Sequence, residues 1–326
     1  MNRFRWLILL LGPLPIVGSS WTLSAWFRSE SEMTPVRNSV LGTRGVDPAS
    51  AHSQPAARGH QQRSAELVRA CKLAATKWKS DLGPECEVMV GSPFVLAGDL
   101  SRAELSGWLH ETIEPAVRAM ERSYFRQRPT APVSVLLFGS ERSYNHYTQT
   151  LFGEAGISIY GYYKPQKRTL ILNIATGDGT LLHELTHALI GFDFPEAPDW
   201  LNEGLASLHE QCRFRASEQG PWIEGLANWR LAGLQDVIRQ QQLRSVASLL
   251  EERSFRGPRE GTNYAQARYF CLYLQSKGRL GDFYRDFRDN CTTDPHGSLT
   301  LARFFPEQNW QQLDQDFQRW ALELAP

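Results

Sequence analysis

The segment from residue 183 to residue 210, HELTHALIGFDFPEAPDWLNEGLASLHE, carries three histidines and six acidic residues. Thr180 can cap a helix that ends at Gly191, and Pro198 followed by Asp199 is typical of the start of a second helix. Two helices joined by a short loop can pack antiparallel. The segment therefore constrains the fold to a helical pair that brings histidines and acids together.

Two histidines of the first predicted helix, His183 and His187, are four residues apart, so both imidazoles project from one face about one turn apart. That separation suits two ligands of one tetrahedral metal ion. Glu184 follows the first histidine, where its carboxylate can take a proton from a water at an open metal position, the general-base role of an HExxH pattern. In a chain with eight histidines, a chance HExxH has odds on the order of one in a hundred.

Such a metal site needs a third protein ligand. Glu203 on the second predicted helix would lie opposite the histidine pair if the two helices pack antiparallel. Asp193 is the alternative, because it follows His187 by six residues, although Ile190 stands where sites with that spacing have a glycine. The sequence favours Zn²⁺ held by His183, His187 and Glu203.

HELTH followed by WLNEGLAS resembles the gluzincin metallopeptidases. The wider order of a hairpin strand, HExxH, PxWLxEGxA and a YAQ segment is most similar to the peptidase MA-like domains of bacterial exported proteins. The similarity covers about residues 90–290, with its specific motifs within 183–207. It implies a thermolysin-like arrangement with one catalytic base and three zinc ligands: Glu184, His183, His187 and Glu203.

The chain also departs from that family. Fifteen residues separate His187 from Glu203, fewer than in aminopeptidase N-type enzymes, and no GAMEN-like segment precedes the helix, so aminopeptidase activity is not implied. Ser207 stands where a thermolysin-like pattern has an acid that holds a histidine, which leaves the hydrogen-bond partners of the ligand histidines open. His209 and Glu210 are expected to lie on a solvated helix face.

Tyr264, in GTNYAQARYF, is the candidate donor to the oxyanion that develops opposite the metal. It resembles the tyrosine that gluzincins use. The alternative is an ordinary packing role, because Tyr269 and Tyr273 follow on the same predicted helix. The remaining histidines of the folded part are expected at the surface or in caps: His110, His146 and His296.

The rest of the folded part predicts an α+β fold, with a small mixed sheet first and a mainly helical half after it. The elements predicted before the motif are strands at 93–98 and 133–138, helices at 101–124 and 140–152, and a hairpin of 157–163 with 168–174. The strand at 168–174 flanks the motif helix. It is either an exposed edge to which an extended peptide adds or a buried strand.

The N-terminal part predicts export. Arg3 and Arg5 precede an uncharged apolar run at 6–27, typical of a signal peptide or of a retained membrane anchor. The predicted divisions are an export segment at 1–27, a flexible linker at 28–64 and a metallopeptidase-like domain at 65–326, with a mixed α/β part at 65–179 and a helical part at 180–326. The protein is therefore expected in the periplasm or outside the cell.

Composition supports this location and excludes one class of partner. The five cysteines fit an oxidising compartment, with Cys71/Cys86 and Cys271/Cys291 as sequence-local pairings and Cys212 left over, although the connectivity stays open. Lysine plus arginine equals aspartate plus glutamate, at 35 each, and no long basic run is present. Nucleic acid is therefore not an expected partner.

Together these features predict an exported zinc metallopeptidase that hydrolyses peptide or amide bonds of a peptide or protein substrate. The first alternative is a zinc-stabilised protein-binding module without turnover, and the second is a pair of charged helices without metal. The intact Glu184 argues against the binding module, because a structural zinc needs no base and usually has four protein ligands. Substrate identity, endo- or exopeptidase action and oligomeric state stay open.

Overall fold

The computed structural model describes residues 55–154, 156, 158–217 and 220–325. The predicted export segment therefore lies outside the described residues. Within the described part of the chain, no helix is both long and apolar enough to span a membrane. Helix α1 (Pro55–Leu82) begins ten residues before the predicted start of the folded part, so residues 55–64 belong to a helix instead of the linker. Their Ala and Gln residues favour a helix, and no proline follows Pro55 there.

A mixed sheet of five strands forms the first half, as predicted for an α+β fold. The strands lie in the order β1-β2-β3-β5-β4. The three central strands are parallel to one another, and both outer strands run antiparallel to their neighbours. Their bounds are β1 (Glu87–Gly91), β2 (Phe94–Gly98), β3 (Val133–Phe138), β4 (Gly161–Lys164) and β5 (Thr169–Asn173).

The central strands are buried along their whole length because helices cover both faces of the sheet. Val135 of β3 faces the larger core, whereas Leu136 faces a smaller core with Trp78 of α1. Burial on both faces explains why 168–174 shows little alternation of apolar and polar residues. Strand β5 is an interior strand, and the edge beside the motif helix is β4. The expectation of an exposed edge at 168–174 is therefore wrong, and its buried alternative is confirmed.

The helix predicted at 101–124 is one continuous helical stretch. It consists of α2 (Arg102–Gly107), a π-helical segment (Trp108–Ile113) and α3 (Glu114–Ser123), and Ser101 forms the predicted capping box. Pro115 follows the π-helical segment and has no backbone N–H to donate to the preceding turn, which accounts for the local widening. Helix α4 (Glu141–Phe152) confirms the second predicted helix.

The second half is mainly helical, with one hairpin that the sequence did not predict. Its motif helices are α5 (Gly179–Asp193) and α6 (Asp199–His209), which pack against each other. The remaining elements are β6 (Cys212–Arg215), β7 (Trp222–Gly225), α7 (Arg230–Arg239), α8 (Val246–Leu250), α9 (Glu260–Ser276), α10 (Leu280–Asn290), α11 (Ser298–Phe304) and α12 (Trp310–Glu323).

Both predicted boundaries of the motif helix are wrong. The N-cap of α5 is Asp178 and makes no side-chain cap hydrogen bond, so Thr180 lies inside the helix. Gly191 does not end the helix, which continues to Asp193. The carboxylate of Asp193 accepts backbone N–H groups from residues 126 and 127, and these contacts hold the last turn in place.

The predicted local disulfide pairings are wrong. All five cysteines are free thiols. Cys71 Sγ contacts Ser92 Oγ at 3.7 Å, and Cys86 Sγ contacts the hydroxyl of Tyr147 at 3.2 Å. Cys271 lies on α9 against α6. Each of these three thiols therefore has packing partners of its own.

Gly204 permits the close approach of α6 to α9. A Cβ atom at this position would lie 2.8 Å from the carbonyl oxygen of Ala267 and 3.0 Å from Cys271 Sγ. Backbone cannot move aside as a flexible side chain can. The glycine of the WLNEGLA segment therefore sets the distance between these two helices.

We expect Gly204→Ala to destabilise the fold by about 1–3 kcal/mol, because the added methyl group overpacks the α6–α9 contact. Gly233→Ala is the matched control, since a Cβ at this helical glycine meets no atom within 4 Å, and it should stabilise by about 0.5–1 kcal/mol. Urea unfolding of both variants measures the difference. Equal effects of the two substitutions would contradict the assigned role of Gly204.

Candidate metal centre

The two motif histidines face each other on α5. His183 Nε2 and His187 Nε2 are 3.0 Å apart, and the imidazole planes are nearly perpendicular at 78°. One helical turn places both rings on the same face, as the spacing of four predicted.

Glu203 of α6 completes a triangle of donor atoms with these rings. Its Oε2 lies 3.7 Å from His183 Nε2 and 3.5 Å from His187 Nε2. Ligand atoms of a tetrahedral zinc site with bonds of about 2.0–2.1 Å are roughly 3.3 Å apart. The three residues form a group that could hold a metal ion, as predicted.

The chemistry of Glu203 also fits a cation. The residue is 1% exposed, and within the described part of the chain its Oε2 has no hydrogen-bond partner. A buried carboxylate oxygen without a partner is costly, and a bound cation would remove that cost. The residues present therefore fit a metal ion.

The proton affinities of the donors agree with this interpretation. Burial on its own lowers the pKa of His183, but the nearby carboxylate of Glu203 and the hydrogen bond to Glu210 more than offset it and raise that pKa to about 10. Burial would raise the pKa of Glu203, yet the two histidines and Arg256 hold it well below its usual range. The donor set thus contains a buried anion and attracts positive charge, either protons or a metal cation.

Each of the two candidate ligand histidines has a hydrogen-bond acceptor on its far side, which answers the question left open by Ser207. His183 Nδ1 donates to Glu210 Oε1 at 3.0 Å, and His187 Nδ1 donates to Asn202 Oδ1 at 2.8 Å. A proton on Nδ1 leaves the lone pair of Nε2 for a metal and fixes the orientation of the ring.

Glu210 is itself held by Arg230. One guanidinium nitrogen bonds Glu210 Oε1 at 3.1 Å, and the other bonds Glu210 Oε2. Burial would raise the pKa of Glu210, but hydrogen bonding to His183 and the charge of Arg230 lower it to about 2. The carboxylate is therefore a permanent anion behind His183.

The expectation of a solvated face for His209 and Glu210 is wrong. His209 is fully buried, and its Nδ1 donates at 2.8 Å to the Oγ1 of Thr186, which in turn donates to Leu182 O. Burial lowers the pKa of His209 to about 3, so the ring is neutral. The partners of these two residues on α5 are Thr186 for His209 and His183 for Glu210.

Glu184 lies beside the histidines and is 9% exposed. Burial raises the pKa of its carboxyl above the usual range, while the charges of His183 and His187 act in the opposite direction. A carboxylate of raised pKa accepts a proton more readily near neutral pH. The position is compatible with the predicted role of a base.

Tyr264 of α9 lies next to Glu203. Burial raises the pKa of its phenol, and the negative charge of Glu203 raises it further. The Phe255 ring packs on it at 5.2 Å between centroids. The hydroxyl is therefore a neutral donor beside the proposed ligands, whereas Tyr269 and Tyr273 are buried in the core.

Asp193, the alternative third ligand, contacts other groups than the histidine pair. Its carboxylate accepts backbone N–H groups from Arg126 at 2.7 Å and Gln127 at 2.6 Å, and it pairs with Arg288 at 2.9 Å. The group that could hold a metal contains Glu203 instead.

Sequence reasoning missed four residues around the site: Asn202, Glu210, Arg230 and Arg256. Asn202 directly precedes Glu203, so its place in WLNEG is a signal that could have suggested it. The two arginines come from segments after α6 that no local pattern connects to the motif.

The histidines His110 and His146 are exposed, as expected, and His296 is partly exposed.

In comparisons with known proteins, no protein-family model matches the chain, and no curated protein shows significant similarity to it. The function must therefore be argued from the geometry of the site.

We expect Asp193→Asn to lower stability by about 3–5 kcal/mol, because it leaves Arg288 without its buried partner. Metal binding should be unchanged, since the ligands lie elsewhere. Chemical unfolding and metal analysis of the purified variant measure both effects. Loss of metal from a folded Asp193→Asn protein would return Asp193 to the list of ligands.

We expect Glu210→Ala to weaken metal affinity by about 10–100-fold, because His183 loses the acceptor that orients it. Competition with a chromophoric chelator measures the affinity, and thermal unfolding in excess chelator measures any separate loss of stability. Glu307→Ala, at an exposed acid, is the control. Equal affinities of the two variants would contradict the orienting role.

Proposed function

We propose that this protein is an exported zinc metallopeptidase that hydrolyses peptide or amide bonds. The observation that carries the proposal is Oε2 of Glu203, which faces two imidazole nitrogens and has no hydrogen-bond partner among the residues that the structure describes, with Glu184 buried beside them. The resemblance of HELTH and WLNEGLAS to gluzincins supports the same function. Export rests on the basic and apolar character of residues 1–27.

Zinc is the metal we propose, because two imidazoles and one carboxylate are a common donor set for catalytic zinc. When bound by this set, zinc would lower the pKa of a water molecule to about 7 and polarise a carbonyl group. Three protein ligands also leave one position of a tetrahedron open, whereas structural zinc usually has four. The number of donors therefore favours a hydrolase over a zinc-stabilised binding module.

Glu184 is the proposed general base. Its carboxylate takes the proton of the attacking water and passes it to the nitrogen of the leaving amine. The raised pKa of this buried carboxyl suits both transfers. His183 and His187 stay in place during the transfers because Glu210 and Asn202 hold their Nδ1 protons.

Tyr264 is the proposed donor to the oxyanion. Its phenol keeps its proton because burial and the Glu203 charge raise its pKa, so it can donate a hydrogen bond to negative charge that develops on the carbonyl oxygen. The packing of Phe255 against it restricts where the hydroxyl can lie.

A peptide substrate is favoured by the edge of the sheet beside the site. Strand β4 pairs with β5 on one side, and α5, which carries the histidines, lies against it. An extended peptide can add to such an edge through backbone hydrogen bonds. This order of edge strand, motif helix and helical half also supports a thermolysin-like arrangement.

The test is zinc analysis and cleavage of a broad peptide library by the full chain and by Glu184→Gln. We expect one zinc per chain in both proteins and a loss of cleavage of at least about 100-fold in the variant, because only the variant lacks the base. Glu196→Gln, at an exposed acid between α5 and α6, is the matched control and should cleave normally.

Three other outcomes would contradict the proposal. Zinc in both proteins without cleavage by either would favour the binding module. A parent protein without zinc would favour two charged helices without metal. Full cleavage by Glu184→Gln would remove the assigned base.

A further inference from the structure

Arg256 lies outside the HELTH and WLNEGLAS motifs and contacts the proposed metal ligand Glu203. It lies in the loop between α8 and α9, and its Nη2 donates to Oε1 of Glu203. Burial lowers the pKa of Arg256, but the charge of Glu203 more than offsets this effect and raises the pKa. The guanidinium is therefore a permanent cation at the carboxylate.

The loop holds Arg256 in a defined position. Phe255, the preceding residue, is buried, and its carbonyl oxygen accepts from Asn263 Nδ2 at 2.7 Å. Asn263 Oδ1 in turn accepts from Arg244 Nη2 at 2.6 Å. A turn follows, in which Gly257 N–H donates to Ser254 O at 2.8 Å. The arginine is thus presented by fixed backbone on both sides.

The two oxygens of Glu203 consequently have different surroundings. Oε1 is bonded to Arg256, whereas Oε2 faces His183 and His187 without a hydrogen-bond partner in the described part of the chain. A carboxylate can bind a metal through one oxygen or through both. An oxygen already bonded to a guanidinium is a poorer second ligand, because the arginine occupies one of its two lone pairs and holds part of its negative charge.

We propose that Arg256 is a positioning residue that restricts Glu203 to one ligating oxygen, Oε2, and so keeps a coordination position open for water or substrate. This inference rests on the proposed metal site but not on peptide hydrolysis. It gives the loop between α8 and α9 a role in the metal centre. An arginine suits the role better than a lysine, because its fork reaches the carboxylate in a fixed plane.

A role through charge alone predicts a different result. A cation near the site repels a metal dication, so a purely electrostatic arginine would weaken metal binding, and its removal would strengthen binding with unchanged coordination. A positioning arginine instead sets the number of ligand atoms. The coordination number is therefore the quantity that separates the two roles.

The experiment replaces the metal with Co²⁺ in the full chain and compares the parent with Arg256→Met and Arg256→Lys. Four-coordinate Co²⁺ absorbs visible light strongly, and higher coordination numbers absorb weakly. We expect intense bands in the parent, their loss in Arg256→Met when both oxygens of Glu203 bind, and partial recovery in Arg256→Lys, which keeps one donor. Arg239→Met, at an exposed arginine of α7, is the control and should match the parent.

Each result decides a separate point. Spectra of Arg256→Met that match the parent would overturn the positioning role, whether or not the affinity changes. If Arg256→Met fails to fold, the parent spectrum decides, because a parent that binds Co²⁺ without the intense four-coordinate bands would also overturn the role. A parent that takes up no Co²⁺ would overturn the metal site itself. A parent that shows the expected spectra but cleaves no peptide would overturn only the proposed hydrolysis.

Discussion

The buried carboxylate of Glu203 is the constraint on which the rest of the site depends. An ionised group in the interior is tolerated only where opposite charge and hydrogen bonds surround it. The partners of Glu203 come from separate elements, with imidazoles on α5 and a guanidinium before α9. Helix α6 must approach both neighbours closely, which Gly204 permits on the α9 side. The helical half therefore packs around an ionic centre as well as an apolar core.

The charges near the histidines are arranged in pairs. Glu203 pairs with Arg256 and Glu210 pairs with Arg230, so both of these acids beside His183 have an arginine of their own. Glu184 is the acid of the HELTH pattern, and its surroundings raise its pKa, whereas those of Glu203 and Glu210 lower theirs. Groups of the same chemical type thus differ in proton affinity, which separates an acceptor of protons from carboxylates that stay ionised.

Contacts within one helix or between consecutive helices of the site follow from the sequence, and the other contacts depend on tertiary packing. Helical spacing places His183 and His187 on one face, and the following helix supplies Glu203, so these three could be predicted. Arg256 could not, because only the path of the chain after α8 brings it to α6. The prediction of a solvated His209 was wrong because the pattern of charges along a helix does not show that Thr186 of another helix bonds this ring. The sequence left 168–174 open between an edge strand and a buried strand, because the alternation of apolar and polar residues reports burial of the faces of a strand and not pairing along its two edges.

For the proposed peptidase, the strand edge beside the candidate metal centre limits how a substrate could be selected. Backbone pairing with β4 would hold any extended peptide regardless of its side chains. Selectivity would then come from side chains beside that edge, where Ile159 and Tyr160 are 52% and 43% exposed. Their backbone is fixed, since both carbonyl oxygens accept hydrogen bonds from Asn173. In the proposed peptidase, these two exposed side chains on a fixed backbone just before β4 would contact apolar side chains of the substrate.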